Sequence, residues 1–382
     1  MREVRRMVAG MRERAAKHDA DGSFPDADFA GLREHRLLGL MVPKRLGGRE
    51  ASFLDYVEVA YHLGRGNGST GLIFNMHASV TGALAQAPDE LAAELGAGDT
   101  FFAQRDKLLS DAASGALYAV AMSERGVGSR LSKITTAYTP TDDGFHIKGA
   151  KAFVSGSGHA DGYLVAARST VDASVVSQFV VPAGEGITVE PTWDTMGMRA
   201  TGSHDVHFDV RVSPRALLGG VEGITLLAAQ LAPHWMVASY AAVYIGVARA
   251  AIELAAEQAN QRRLSTMASV RARLGRADAA VASAYATVRE AARLVDAADP
   301  QSAEWVWRAK LLAGDTATQV TASMMEVCGA SSIRRGNPLE RLFRDARCGA
   351  LQPATSDVCA DWLGVNALGG DPYADATAGP RW

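Results

Sequence analysis

The sequence has few of the residues that mark disulfide-bonded or metal-binding proteins. Its 382 residues include 3 cysteines, which form neither a CxxC pair nor a histidine spacing suited to a metal ion. A sparse, odd cysteine count is typical of a reducing compartment, so three free structural thiols are expected. These are Cys328, Cys348 and Cys359. No metal site is predicted.

The sequence also lacks an excess of charge of one sign and long apolar runs. Its 39 basic and 42 acidic residues leave a formal net charge of -3, which argues against nucleic acid or an anionic membrane as a partner. The charged N-terminal stretch has no apolar segment of the signal-peptide kind, and no later run approaches the ~20 apolar residues of a spanning helix. We therefore expect a cytoplasmic protein with no nucleic-acid or membrane partner.

Hydrophobic residues make up 48% of the chain, enough for two or three compact units with sizeable cores. Residues 1–117 have helical periodicity, with glycine and proline at the breaks. Residues 118–218 alternate apolar and polar positions and contain turn sequences such as DDG at 142–144. Long Ala-rich helical segments fill residues 219–382. The prediction is an α+β chain with an N-terminal helical domain, a central antiparallel β-barrel-like domain and a C-terminal four-helix bundle.

A glycine-rich turn, SERGVGSR at 123–130, follows the first predicted strand. Gly126 and Gly128 let the backbone approach a planar or anionic group closely and present N–H donors to it. The pyrimidine edge of a flavin needs such donors, because reduction places negative charge there. An ordinary glycine-rich turn is the alternative, and the flanking strands and downstream motifs favour the cofactor.

Four motifs in order give the chain its resemblance to the acyl-CoA dehydrogenase family. They are SERGVGSR, DGFHIKGAKAFVSGSGHADGYLVAAR, DTMGMRATGSHDVHFDVRVSP and NPLERLFRDAR. The resemblance implies the three-domain fold of that family and an FAD cofactor that lies between the β domain and the bundle and is completed by a second subunit. It therefore implies a homodimer or homotetramer, with an electron-transfer or flavin-reductase partner.

The resemblance also assigns flavin contacts in the β domain. They fall on Met122, Ser123, Gly128, Ser129, Phe153 and Ser155. Phe153 stands where the family has a tryptophan packed on the isoalloxazine ring, and Ser155 where it has a threonine hydroxyl. An aromatic residue at strand spacing is usually a core residue, so Phe153 alone indicates little.

Further cofactor contacts are implied in the bundle. Glu326, Gly329 and Ala330 match a Gln-x-x-Gly-Gly turn that holds the adenosine half of FAD across a subunit interface, and the changes to glutamate and alanine weaken that contact. Thr355 and Asp357 match positions near the diphosphate, where an aspartate suits an anion less well.

The glutamate base of the family is absent. Family members place it immediately before a Gly-Thr, and the matching residues here are Pro353 and Ala354. A minority place it on the first long bundle helix, where this chain has Met236 and, in place of an adjacent arginine, Val237. Proline and methionine cannot accept a proton, so both known base positions are lost.

Three interpretations follow. In the first, the chain oxidises an acyl thioester, carried on CoA or a carrier protein, by hydride transfer to flavin N5, with His234 or Asp357 as a replacement base. In the second, it is a reduced-flavin-dependent monooxygenase, which needs no α-proton base but needs a cavity that keeps water from the oxygen-activating flavin. In the third, it is a non-catalytic subunit of a mixed oligomer, which the retained SERGVGSR turn argues against. The first is preferred here. The substrate cavity is expected at Ser129, Trp235, Met236 and Pro353.

Overall fold

The structure is a computed structural model that describes residues 2–94, 96–223 and 234–372, without the side chains of 234–239. The N-terminal helices are α1 (Arg2–Asp21), α2 (Asp26–Glu34), α3 (Phe53–Gly66), α4 (Gly68–Gln86), α5 (Asp89–Glu94) and α6 (Asp99–Ala113). The C-terminal helices are α7 (His234–Gln261), α8 (Ala268–Asp296), α9 (Ser302–Cys328), α10 (Pro338–Arg347) and α11 (Ser356–Ala367). The predicted order of helices, strands and helices is confirmed.

Seven strands form the sheet of the central part. They are β1 (Tyr118–Ala121), β2 (Ala137–Thr141), β3 (Gly144–Val154), β4 (Gly162–Ser169), β5 (Val176–Pro182), β6 (Ile187–Glu190) and β7 (His204–Val212). The strand order is β1-β4-β2-β3-β7-β6, with β5 paired to the other side of β4. Most pairs are antiparallel as predicted, but β4 runs parallel to both β1 and β2. Neither parallel pair is consecutive in the chain, because β2 and β3 lie between β1 and β4, and β3 lies between β2 and β4. This fits the rule that a parallel pair cannot be joined by a tight hairpin.

The helices before and after the sheet share one hydrophobic core, whereas the sheet has its own. Helices α3 and α7 touch backbone to backbone. A Cβ atom on Gly64 would lie 2.2 Å from the carbonyl oxygen of Val243, and one on Gly246 would lie 2.2 Å from that of Tyr61. Glycine at both crossing points is therefore required for this close packing.

The predicted fourth bundle helix, which begins at Pro338, is divided into the short helices α10 and α11. A turn at 348–354 separates them. Pro353 has no backbone N–H and restricts the residue before it, so a continuous helix cannot pass through this segment. The break places Pro353, the predicted base position, on a turn rather than inside a helix.

The sheet docks on the bundle through the turn before β7. The carboxylate of Asp345 on α10 accepts a hydrogen bond of 2.6 Å from the backbone N–H of Met198. Asp345 is fully buried, and burial raises the pKa of its carboxyl group. A Cβ atom on Gly197 would lie 2.3 Å from the carbonyl oxygen of Arg344, so only glycine allows this contact. The docking fixes the β domain relative to the turn at 348–354.

Across the residues that the structure describes, no helix combines the length and apolar character needed to cross a bilayer.

Candidate functional site

The glycine-rich turn after β1 is closed by its own backbone. Glu124 and Gly128 exchange two hydrogen bonds, with N–O distances of 3.1 and 2.9 Å. Gly126 and Gly128 adopt φ angles of 76° and 70°, which glycine adopts without strain. Nothing lies within 4 Å of a Cβ atom built on either residue. The turn is therefore open on its outer side.

The turn also carries hydrogen-bond donors that the described residues leave unused. Among the described residues, the backbone N–H groups of Gly126 and Ser129 have no hydrogen-bond acceptor. The half-buried hydroxyls of Ser123 and Ser129 likewise have no partner within the described chain. Open backbone donors beside hydroxyls fit the electron-rich edge or a phosphate of a flavin.

A buried ion pair fixes the turn to the next part of the site. The Glu124 carboxylate accepts hydrogen bonds from the backbone N–H groups of Thr135 and Thr136 at 2.6 and 2.9 Å. It also pairs at 2.8 Å with the ammonium group of Lys151 on β3, which donates to the carbonyl oxygen of Met122 as well. Burial alone would raise the pKa of Glu124, but the Lys151 charge and the hydrogen bonds from Thr135 lower it to about 2. Both side chains are almost fully buried.

The residues assigned to the flavin ring follow directly on β3. The backbone N–H of Ala152 donates to the carbonyl oxygen of Ser123 at 2.8 Å, so the end of β3 lies beside the start of the turn. A bulge against β7 interrupts the pairing between Lys151 and Val154. Phe153 lies in this bulge with φ of 59° and is 61% exposed. Bulges re-aim side chains, and this one turns an aromatic ring out of the sheet.

Two aromatic and polar contacts complete this side of the site. The Phe153 ring packs edge to face on Trp193, with centroids 5.9 Å apart. The buried hydroxyl of Ser155 lies 2.9 Å from that of Ser203, which lies 2.7 Å from that of Thr201. A large exposed aromatic beside hydroxyls and open donors fits the ring system of a flavin. The β-domain part of the predicted site is thus brought together.

The predicted adenosine contacts lie elsewhere, at the end of α9. Glu326 forms an ion pair with Arg273 of α8, and both side chains are largely exposed. Gly329 has a φ of 71°, and Ala330 is exposed. Within the described chain these residues have no hydrogen bond to the β domain. Their contribution to a partner subunit's cofactor stays a prediction.

The residues at and after the predicted base position have structural roles in the turn and in the start of α11. Pro353 is exposed, and Ala354 is buried. The Thr355 hydroxyl accepts a hydrogen bond of 3.3 Å from the backbone N–H of Val358 and so caps α11. Asp357 lies exposed in the first turn of α11, where a carboxylate favours the helix dipole. Thr355 and Asp357 therefore have structural explanations, and their roles toward a cofactor or as a base stay predictions.

The other candidate base and two cavity residues cannot be located. The side chains of His234, Trp235 and Met236, at the start of α7, lie outside the described residues. A groove of about 1430 Å³ between α6 and the ends of β5 and β7 is described, but none of the predicted site residues lines it. No three His, Cys, Asp or Glu side chains of the described residues are grouped as a metal site would require.

Two buried lysines were missed by sequence reasoning. Lys151 anchors the turn to β3, and Lys310 on α9 binds the turn at 348–354. Each had a signal, because each is a charged residue at a position where the period of its element predicts an inward-facing apolar one.

The order of helices, sheet and helices, together with the open donors of the candidate site, is typical of a flavin-binding protein. The chain belongs to the acyl-CoA dehydrogenase family. Models of the family's N-terminal, middle and C-terminal domains match residues 1–94, 119–210 and 223–361. The family is one of flavoenzymes with FAD as standard cofactor, so the flavin prediction is confirmed at the level of the family.

Known relatives include both dehydrogenases and a monooxygenase. The putative acyl-CoA dehydrogenase YdbM of Bacillus subtilis is 27% identical, over 96% of each chain. The FMN-bound dibenzothiophene monooxygenase TdsC of Paenibacillus sp. A11-2 is 25% identical with a TM-score of 0.85, over 96% of each chain. The butyryl-CoA dehydrogenase of Megasphaera elsdenii has the same TM-score and coverage at 23% identity, which shows the shared fold. Fold alone therefore does not select the reaction.

Proposed function

We propose that this chain is a flavin-dependent monooxygenase, which receives reduced flavin from a separate reductase and transfers one oxygen atom of O₂ to an organic substrate. The reaction converts substrate C–H or N–H, O₂ and reduced flavin into the hydroxylated product, water and oxidised flavin. The observation that carries the proposal is the occupation of the base position by Pro353, with Asp357 on the outer side of α11. Oxygen transfer needs no base there, whereas α,β-dehydrogenation does.

The chain's own residues would bind and orient the cofactor. The N–H groups of Gly126 and Ser129 would donate to its anionic edge, and Phe153 would pack on its ring system. The Ser155 hydroxyl, which is hydrogen-bonded to Ser203, would donate to the ring. The reduced flavin would supply the two electrons that activate O₂. The cofactor is FAD by family, and FMN is included in the test because TdsC binds it.

A second candidate is the acyl-thioester dehydrogenase that the sequence analysis prefers. It is supported by the similarity to YdbM along nearly the whole chain. Under this alternative, His234 and Asp357 are the candidate bases, and an electron-transfer partner reoxidises the flavin. Under either candidate we propose a homodimer or homotetramer, because the adenosine contacts at Glu326, Gly329 and Ala330 do not reach the β domain of their own subunit.

The test is isotopic. The purified chain is mixed with FAD or FMN, an NADH-dependent flavin reductase, ¹⁸O₂ and a panel of aromatic and amine compounds that includes indole, which TdsC also binds. We expect one ¹⁸O atom in a product that forms only when both chain and reductase are present. Oxidation of the reduced flavin solely to hydrogen peroxide across the panel, at the rate seen without the chain, would contradict the proposal.

A further inference from the structure

The turn at 348–354, which carries the lost base position, is gathered around one buried ammonium group. Lys310 on α9 donates hydrogen bonds to the carbonyl oxygens of Gly349, Gln352 and Ala354, with N–O distances of 2.8, 3.3 and 2.9 Å. The side chain is 1% exposed. The three N–H bonds of the ammonium group are thus matched by three carbonyl acceptors.

The same face of α9 supports the turn at two further points. A Cβ atom on Gly314, one helical turn after Lys310, would lie 3.1 Å from the Cα of Ala350, so the turn rests directly on the helix backbone. The carboxylate of Asp315 accepts a hydrogen bond of 2.8 Å from the hydroxyl of Ser356, at the start of α11. Helix α9 therefore serves as a platform for the whole segment from 349 to 356.

Helix α7 closes the opposite side. The Tyr244 ring lies 2.7 Å from a Cβ atom built on Gly349, so it packs flat on that glycine. The Tyr240 ring lies with its centroid 5.8 Å from the Lys310 nitrogen, close enough for a cation–π contact. Tyr240 stands one helical turn after Met236, which is predicted to line the substrate cavity. Lys310 thus lies between the turn and α7, the helix whose first residues are predicted to line the cavity.

Among the described residues, no carboxylate is hydrogen-bonded to Lys310. The charged or titratable groups that face it are Asp315 on its own helix, Cys359 on α11 and Tyr240 on α7. Burial lowers the pKa of Lys310 to about 8. A neutral amine has two N–H bonds for three carbonyl oxygens, so deprotonation leaves one carbonyl without its donor.

We propose that Lys310 is a positioning residue of the site, whose ammonium group fixes the turn at 348–354 and so holds position 353 against the cavity. Without it, the carbonyl oxygens of Gly349 and Gln352 would lose the ammonium donor, and that of Ala354 would keep only the weak hydrogen bond of 3.7 Å from the Cys359 thiol. Such groups are costly to leave unpaired, so the turn would open. The relevance of position 353 to a cavity rests on the proposed function, whereas the fixing of the turn does not.

Hydrogen–deuterium exchange of the whole chain tests this directly. In Lys310→Met the backbone amides of residues 348–355 are expected to exchange at least about tenfold faster, which corresponds to an opening made easier by about 1.4 kcal/mol. Lys151→Met is the matched control, because it also removes a buried lysine. It should accelerate exchange around residues 122–136 and leave 348–355 unchanged. Unchanged exchange at 348–355 in Lys310→Met would overturn the proposal.

The pH dependence separates positioning from general packing. After correction for intrinsic exchange rates, the wild-type turn should exchange faster above pH about 8, and Lys310→Met should lack that step. A wild-type profile without a step would count against the proposal even if Lys310→Met fails to fold. Neither measurement uses flavin or substrate, so a failed ¹⁸O experiment and a failed exchange experiment remain distinguishable.

Discussion

Two buried lysines, Lys151 and Lys310, hold the two parts of the candidate site. Lys151 supports the part predicted to bind the flavin, whereas Lys310 supports the part that carries the predicted base position. Lys151 pairs with the carboxylate of Glu124 and anchors the glycine-rich turn to β3. Within the part of the chain that the structure describes, Lys310 donates its hydrogen bonds to carbonyl oxygens and anchors the turn that carries Pro353. Burial lowers the pKa of both lysines to about 8. The first lysine holds the turn whose open donors are predicted to bind a flavin edge, and the second holds the turn that carries Pro353 at the predicted base position.

This contrast favours a changed reaction over a decayed enzyme. The buried ion pair does not decide between them, because breaking it would destabilise the fold whether or not the chain is an enzyme. The open donors at Gly126 and Ser129 and the exposed ring of Phe153 favour a working flavin site, because they lie together in the β domain and are available to a flavin.

The largest effect on stability is expected from breaking the Glu124–Lys151 ion pair. Glu124→Gln leaves Lys151 as an uncompensated buried charge, so the free energy of unfolding in urea should fall by about 3–5 kcal/mol. Glu185→Gln, at an exposed position of the same domain, is the control and should change stability by less than about 0.5 kcal/mol. A loss below about 1 kcal/mol in Glu124→Gln would mean that the ion pair does not anchor the turn.

The same pair predicts an acid dependence. The pKa of Glu124 is lowered from 4.5 to about 2 in the folded chain, so its contribution is fully present above pH 4.5 and is lost as the pH falls toward 2. The stability difference between wild type and Glu124→Gln should therefore shrink by about 3 kcal/mol over this interval. Urea unfolding at several pH values measures it, and a difference that is constant with pH would contradict the assignment.

Loss of a flavin hydrogen bond should have a smaller effect. Ser129→Ala and Ser155→Ala each remove one hydroxyl donor, so the Kd for flavin should rise roughly three- to tenfold. Quenching of flavin fluorescence on titration gives the Kd. Ser283→Ala removes an exposed hydroxyl on α8 that bonds only within its own helix and should leave the Kd unchanged. If both site variants bind flavin with unchanged affinity, the assignment of Ser129 and Ser155 as flavin contacts is wrong.

The smallest effect on stability is expected at Thr355, which follows the turn at 348–354. Thr355→Ala removes the N-cap of α11 and should lower the free energy of unfolding by about 1 kcal/mol, with the proposed oxygen transfer changed less than tenfold. A complete loss of flavin binding in this variant would instead place Thr355 in direct contact with the cofactor. Urea unfolding and flavin titration of the same preparation distinguish the two.

The sequence predicts the fold well because its information is local and repeated. Period-two alternation at 118–218 and the order of four motifs define the domains, and the glycines of the 123–130 turn predict the open backbone that the structure has. The division of the last bundle helix at Pro353 was not predicted, although proline gave the signal. The partners of Lys151 and Lys310 could not be predicted, since Glu124 is 27 residues away in sequence and Gly349 is 39 residues away. Contacts of that separation depend on tertiary packing rather than on any local pattern.

We propose that the chain keeps the residues that bind flavin and has lost the base that dehydrogenation needs. It is tested most directly by adding acyl thioesters of short, medium and long chain anaerobically to the flavin-loaded protein and following the flavin absorbance near 450 nm. We expect the oxidised flavin to stay unbleached by every thioester, because Pro353 cannot remove the α-proton. Rapid and stoichiometric bleaching by any of them would contradict the account and make the chain a dehydrogenase with a base at another position.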